Sequence, residues 1–344
     1  MTGNTTKYKL IGYVGSGEIT ESDVKKLTHI NIAFGGLVSD GTVTGAKHDK
    51  VLMIPQFKKW NPDIKVLLSF VGAPGASNSF AVCSADETLR KKTAKSMAEL
   101  ITETGLDGID LDWEYPCVPS NGYDTTPEDR DNFTLLCREI RNELDKLPGE
   151  RKLLTIAAGA DLYYVKCTDL PALSQILDHI CLMTYDLKCG FHALAGHHTA
   201  LYSNIGDVFR NSCDQALTLF HEAGVPKEKL LMGCAFYSRK WVEIEDRNHG
   251  LLQICKYGGG YGPDYGELST EYVNKKGFVR YWDDEAKAPY LFDGSTFLSY
   301  DDPESLKLKA EYVKEHGYGG CFYWEHKCDG TRVLLNTLHD NLLG

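Results

Sequence analysis

Three carboxylates at alternate positions, Asp110, Asp112 and Glu114, lie in the segment Leu106-Asp107-Gly108-Ile109-Asp110-Leu111-Asp112-Trp113-Glu114-Tyr115-Pro116. Side chains alternate faces along a strand, so these acids share one face while Ile109, Leu111 and Trp113 take the other. Same-face neighbours stand roughly 6.6 Å apart at about 3.3 Å of rise per residue. Like charges this close cannot all stay ionised, so at least one proton is retained near neutral pH. A glycosidic oxygen is a poor leaving group and needs such a proton. Glu114, outermost in the row, is best placed to donate it; Asp112, one pleat deeper, can share a proton with Asp110 or turn towards a substrate. On spacing alone a magnesium or calcium site competes, because barrels carry carboxylate-bound metals at strand tips. An EF-hand is excluded by the apolar residues between the acids. A purely structural acid cluster is disfavoured, since unpaired buried carboxylates are costly.

Short apolar runs alternate with longer amphipathic ones along the whole chain, the pattern of repeated βα units and a parallel sheet. Eight strands are predicted: Lys9–Val14, His29–Gly35, Ile64–Phe70, Leu106–Trp113, Lys152–Ala158, His179–Tyr185, Lys229–Phe236 and Gly319–Trp324. Helices fall between them. Ser84 with Glu87 reads as a capping box before Leu89–Thr104, and Thr126-Pro127-Glu128-Asp129 as an N-terminus for a helix with Phe133, Leu136, Ile140 and Leu144 on one stripe. Asp302-Pro303 starts a helix that Gly317 stops, and Thr331–Leu343 closes the series.

Eight strands with helices between them imply a closed (β/α)8 TIM barrel, whose chemistry belongs at the C-terminal mouth where Glu114 falls. About 80 residues separate the seventh and eighth strands, too many for a loop and one helix. The expected organisation is therefore a barrel from residues 8–240 and 299–344, with a small α+β insertion over 241–298. Within it, Gly258-Gly259-Gly260-Tyr261-Gly262 reads as a flexible turn, because no strand–turn–helix context for a phosphate loop surrounds it.

The chain has 344 residues, 42% hydrophobic and 25% charged, with a net charge of -11, a composition that suits a globular protein. This balance disfavours nucleic acid as a partner, whereas a neutral substrate meets no electrostatic objection. No apolar run of about 18 residues appears, so no membrane association is expected. The segment Met1–Lys9 is polar and lacks the apolar region of a signal peptide, although a trimmed leader would leave the same sequence. Eleven cysteines with no Cys-x-x-Cys pair suggest neither zinc ribbon nor full disulfide framework. Cys181, Cys234 and Cys321 read as buried thiols, favouring a reducing compartment.

The acid segment resembles the Asp-x-x-Asp-x-Asp-x-Glu signature of the family 18 glycoside hydrolases, the chitinases and their relatives, a family of substrate-assisted enzymes. The likeness runs from about Ile11 to Gly330. Met183-Thr184-Tyr185-Asp186 is similar to the family's sixth-strand motif, Gly233 through Arg239 to its seventh, with Tyr237 and Arg239 in place, and Gly319-Gly320 with Trp324 to its eighth. The resemblance implies that Glu114 protonates the leaving oxygen while the substrate's own acetamido oxygen attacks the anomeric carbon, with net retention and no cofactor or metal. Asp112 would hydrogen-bond the acetamido N–H, and Tyr185 beside Asp186 would hold that group in line. Asp110 would hold the shared proton, backed by Tyr13 and Ser69. Trp324 would floor the reacting sugar, with Tyr115, Met183, Tyr237 and Arg239 also lining the groove. The third strand, Ser69-Phe70-Val71-Gly72, and the seventh, Gly233-Cys234-Ala235-Phe236-Tyr237-Ser238, depart from the family pattern in ways that bear on subsites and leave the acid row intact.

Each auxiliary residue has a plainer reading: Tyr185 as a strand tyrosine, Trp324 as core, Arg239 as the partner of a rim carboxylate, Trp113 as packing, and His192, His197 and His198 as groove-lining or solvated loop. The expectation is a monomeric chitinase acting on chitin or chitooligosaccharides. An endo-β-N-acetylglucosaminidase on glycans or peptidoglycan would use the same acids, and a chitin-binding lectin on this fold would typically lack Glu114.

Overall fold

The computed structural model describes residues 7–72, 78–119 and 125–344. Eight parallel strands close on themselves: β1 (Lys9–Val14), β2 (His29–Leu37), β3 (Lys65–Gly72), β4 (Gly108–Asp112), β5 (Leu153–Gly159), β6 (His179–Met183), β7 (Leu230–Ala235) and, after an insertion, β13 (Gly320–Trp324). Each pairs in parallel with its neighbour, and β1 pairs with both β2 and β13, which closes the (β/α)8 barrel. Within the barrel Ile11, Tyr13, Ala33, Cys181, Leu231 and Phe322 form an inner cluster, while Ile109, Leu111, Ile156 and Ile180 pack outward into the layer shared with the helices. Cys181, Cys234 and Cys321 are fully buried, and the described cysteines are free thiols.

The helix starts differ locally from expectation. Asp86, not Ser84, caps the helix Glu87–Thr104, accepting from the Leu89 N–H at 2.8 Å. Ser84 lies in the preceding helix, Ser79–Ala85, and its hydroxyl donates to the Ala81 carbonyl. Next, the helix Asp129–Leu144 begins without a side-chain cap at Glu128; Asp129 instead accepts from the Thr126 and Cys117 N–H groups. In the first case an acid two residues along reaches a first-turn N–H directly; in the second the acid reaches back to the chain before the helix. The stripe Phe133, Leu136, Ile140 and Leu144 is buried. Asp302 caps Pro303–His316 through a capping box with Ser305, and Gly317 ends that helix at φ 76°, where a side chain would be strained.

Between β7 and β13 the chain builds a five-stranded antiparallel sheet: β8 (Tyr237–Trp241), β9 (Gly260–Asp264), β10 (Val279–Asp283), β11 (Ala288–Phe292) and β12 (Phe297–Ser299), in the order β9-β8-β12-β11-β10. Its first strand begins at Tyr237, before Trp241, directly after the barrel. The glycines at 258 and 259 are not a loose turn. A Cβ on Gly258 would lie 1.9 Å from the Gly190 carbonyl, and one on Gly259 would lie 2.3 Å from the Trp241 ring. These two positions seat the insertion against the loop that follows β6. Among the described residues no helix is long and apolar enough to cross a membrane.

Candidate active site

At the centre of the site is β4. Gly108 opens it because the β5 backbone passes so close that a Cβ would lie 2.3 Å from the Leu153 carbonyl. Asp110 and Asp112 then point inward and are buried, while Trp113, 3% exposed, turns out to stack on Phe80 at 5.5 Å and meet Phe133 edge-on at 5.3 Å. The plain packing reading of Trp113 is the one the structure shows. The strand ends at Asp112, so Glu114 stands just beyond it and is exposed at the mouth.

The three acids have graded surroundings. Asp110 accepts hydrogen bonds from three hydroxyls: Tyr13 at 2.8 Å and Ser69 at 2.7 Å, both on Oδ2, and Thr155 at 2.5 Å on Oδ1. Burial raises its pKa, and those three donors oppose the rise. Asp112 has no such support. Its Oδ1 is buried without a hydrogen-bond partner, and burial, then the charges of Glu114 and Asp110, push its pKa well above the usual carboxylate range. Glu114 is raised too, first by loss of solvent and then by the charge of Asp186, against a hydrogen bond from Tyr115. Glu114 is open to solvent at the mouth, so loss of solvent affects it less than it affects the buried Asp112. Tyr115 is half-buried and packs edge-on against Tyr164 at 6.2 Å.

Strand β6 ends at Met183, so Tyr185 and Asp186 leave the strand rather than continue it. Tyr185 is half-buried, packed against Phe322 at 5.9 Å and Tyr237 at 6.1 Å. Asp186 adopts φ 56° and is held from the insertion: Tyr237 donates to Oδ1 at 2.7 Å, Arg239 Nε donates to Oδ1 at 2.7 Å, and the Arg239 Nη2 donates to Oδ2. Arg239 does pair with a rim carboxylate, and that carboxylate is Asp186. Burial alone would raise Asp186, but contacts with His198 and Arg239 outweigh it and hold the carboxyl well below its ordinary range. Of the two, Arg239 supplies the positive charge, because burial lowers the His198 pKa and its Nδ1 accepts the Asp186 N–H at 3.4 Å.

At the tip of β13, Trp324 is half-buried, stacked on Phe34 at 5.4 Å and tilted against Tyr13 at 5.9 Å. It is therefore a mouth residue rather than core. The three loop histidines separate: His198 is buried beside Asp186, His197 is buried and meets Asp283 of the insertion at 3.1 Å, and His192 is half-buried against Phe209. None lines a histidine cluster. Among the described residues no group of three or more His, Cys, Asp or Glu is arranged to hold a metal ion.

Tyr13, Ser69, Asp110, Asp112, Glu114 and Tyr115 thus meet around the acid row, and Tyr185, Asp186, Tyr237 and Arg239 form a second group at the mouth. Three participants were not read from the sequence: Thr155, Phe34 and Tyr261, whose ring lies 3.8 Å from the Arg239 guanidinium; His198, read only as groove-lining or solvated loop, is instead buried against Asp186. Only Thr155 had a usable signal. It lies at the position of β5 that pairs with Asp110 of β4, which strand alignment alone would give.

The family model of the glycosyl hydrolases family 18 matches residues 9–329. Chitinase A1 of Niallia circulans is 34% identical over 328 residues, covering 90% of this chain and 46% of its own length. Chitotriosidase-1 of Mus musculus is 29% identical, covering 93% of this chain and 73% of its own length. Among solved structures, a family 18 N-acetylglucosaminidase from Paenibacillus barengoltzii superposes with a TM-score of 0.94 at 47% identity, covering 97% of this chain and 100% of that one. The chain thus spans about half of the Niallia enzyme and all of the Paenibacillus one.

Proposed function

The chain belongs to family 18 of the glycosyl hydrolases, and on that premise we propose that it is a chitinase hydrolysing β-1,4 N-acetylglucosamine linkages with retention, Glu114 acting as general acid and then base. The observation that carries this reading is the unpartnered, buried Asp112 Oδ1 between Asp110 and Glu114. An oxygen left without a donor in a dry site is a place for a substrate N–H. With a 2-acetamido sugar bound, Asp112 takes the acetamido N–H, which leaves the acetamido oxygen free to attack the anomeric carbon. Tyr185 orients that oxygen, and Asp186, fixed by Arg239 and Tyr237, keeps Tyr185 and the mouth in place. Glu114 gives its proton to the leaving oxygen and recovers it from the water that opens the oxazolinium ion. Tyr13 and Ser69 hold Asp110, Trp324 meets the sugar's C–H face, and Tyr115 and Met183 complete the walls. All of these groups come from one chain, so a monomer suffices.

The test is Glu114→Gln on a fluorogenic chitooligosaccharide. Glutamine keeps the shape without a transferable proton, so kcat falls by about 10²–10⁴-fold with binding retained. Full turnover in the variant would remove Glu114 from the role of acid. A second reading is favoured by the likeness to the Paenibacillus N-acetylglucosaminidase: that this chain, too, is an N-acetylglucosaminidase. Products from chitin hexamer separate the two, oligomers pointing to the first and monomer to the second, while proton NMR of the nascent anomer reports retention.

A further inference from the structure

We infer that Thr155 is a positioning residue for catalysis: its hydroxyl, on Asp110 Oδ1 at 2.5 Å, keeps Asp110 the anion of the acid row and leaves the proton on Asp112. The inference rests on the reading of Glu114 and Asp112 given above. A carboxylate offers about four lone-pair sites. Tyr13 and Ser69 fill the two on Oδ2 and Thr155 fills one on Oδ1. Three hydroxyl donors stabilise a charge in a fully buried position, where a charge without donors would not persist. Asp112 is the contrast, with its Oδ1 buried and unpartnered. Of two adjacent acids that share one proton, the one without donors keeps it, which reverses the expectation from the sequence that Asp110 would hold it.

Thr155 differs from the other two donors in its place. Tyr13 and Ser69 approach Oδ2, whereas Thr155 occupies Oδ1 alone. Removing it leaves that oxygen to the O–H of Asp112, which would then be drawn to Asp110 and away from the acetamido group it is to meet. Thr155 reaches this position because β5 pairs with β4 in register, Thr155 beside Asp110. It is itself fully buried, so no water replaces the hydroxyl from outside.

The titratable groups facing Asp110 are Asp112 on its own strand, Tyr13 on β1, Cys181 on β6 and Tyr164 after β5. Burial raises the last three, so they stay neutral through the acidic range and the acid limb of the rate profile belongs to the acid row.

The experiment is the pH profile of kcat and KM for Thr155→Val, nearly the same size without the hydroxyl, with Thr155→Ser as rescue and Thr155→Ala as a smaller second variant. The substrate is 4-methylumbelliferyl chitobioside, and each variant's thermal midpoint is measured alongside. The loss of a hydrogen bond to a charged group moves the acid limb of kcat/KM to higher pH by about one unit, since Asp110 then protonates earlier. At the optimum kcat falls about tenfold while KM changes little, and Thr155→Ser restores both. If Thr155→Val and Thr155→Ala both keep the native acid limb while Glu114→Gln is inactive, Thr155 is only a core residue and the inference fails with the mechanism intact. A loss of kcat at unchanged limb, tracking the thermal midpoint, overturns it equally. If the native chain does not cleave the substrate, the underlying reading fails instead.

Discussion

Replacing Asp186 with asparagine removes one charge and almost no volume. In the native structure this carboxylate takes Arg239 Nε at 2.7 Å, Arg239 Nη2 and the Tyr237 hydroxyl at 2.7 Å. An asparagine can offer one carbonyl oxygen, but its amide then faces a guanidinium that is 8% exposed. What remains for that cation is the Tyr261 ring at 3.8 Å, a contact worth about 0.5–2 kcal/mol. Breaking a buried pair costs about 3–5 kcal/mol and an exposed one about 0–1 kcal/mol. The Asp186 side chain is 32% exposed, so the loss falls between these limits, about 2 kcal/mol. At about 2–4 °C per kcal/mol for a large domain, the thermal midpoint drops by about 4–8 °C. Two further readouts separate this from a general packing defect. In a double-mutant cycle with Arg239→Met, Asp186→Asn adds little, because the pair is already broken. The charge of Asp186 also helps to raise the Glu114 pKa, so the basic limb of kcat moves to lower pH in the variant. Because Asp186 has its native pKa lowered from 3.8, its stabilisation is complete above about pH 4 and is lost as the pH falls below that value. Asp186→Asn with an unchanged midpoint at pH 7, or with strict additivity to Arg239→Met, would refute the assignment of Arg239 as the lock on Asp186.

Two more outcomes follow from residues away from the reacting sugar. Trp113→Ala removes a ring stacked on Phe80 and met edge-on by Phe133 and lowers stability by about 3–5 kcal/mol in urea unfolding; kcat per folded molecule stays within about twofold of native, and a far larger loss would mean that Trp113 shapes the site. His29 and His179 are buried at the base of the barrel, their rings 5.5 Å apart, and burial lowers His29 to about 3 and holds His179 well below the ordinary imidazole range. The unfolded chain therefore binds more protons than the native one between about pH 3 and pH 6.5, and stability falls on acidification through that window by about 1.4 kcal/mol per unit for each imidazole. His179→Leu should flatten the slope of urea midpoint against pH over that range; an identical slope would mean that the barrel base already accommodates the charge.

Much of this site was legible because barrel strands expose it as pattern. Asp110, Asp112 and Glu114 stand at every second residue, and the parallel strands around them are runs of apolar residues bounded by polar ones. The repeated helix and strand signals then place the row at the mouth. What escaped was set by pairing between distant strands. Nothing local in Leu153-Leu154-Thr155-Ile156 marks Thr155 as a donor to Asp110, and His198 looked like loop because its burial comes from the insertion, whose Ser299 hydroxyl accepts the His198 N–H at 2.8 Å. The helix caps were misplaced for a simpler reason. Ser84 and Asp86 are competing acceptors two residues apart, and geometry rather than composition chooses between them, while Thr126, read as a cap, instead donates its N–H to Asp129. Gly258 and Gly259 were read as freedom of the backbone, whereas the space taken by Gly190 and Trp241 requires them.

A single residue, Phe236, stands between the end of β7 and the start of β8. The polypeptide passes from cylinder to rim sheet with no spacer, and Tyr237 and Arg239, which grip Asp186, ride on the rim side of that junction. The rim sheet is thus no detachable accessory. Any ancestor lacking it, or any chimaera that trades it for a foreign one, would have to supply a new clamp for the tyrosine–aspartate pair before it could select among sugars.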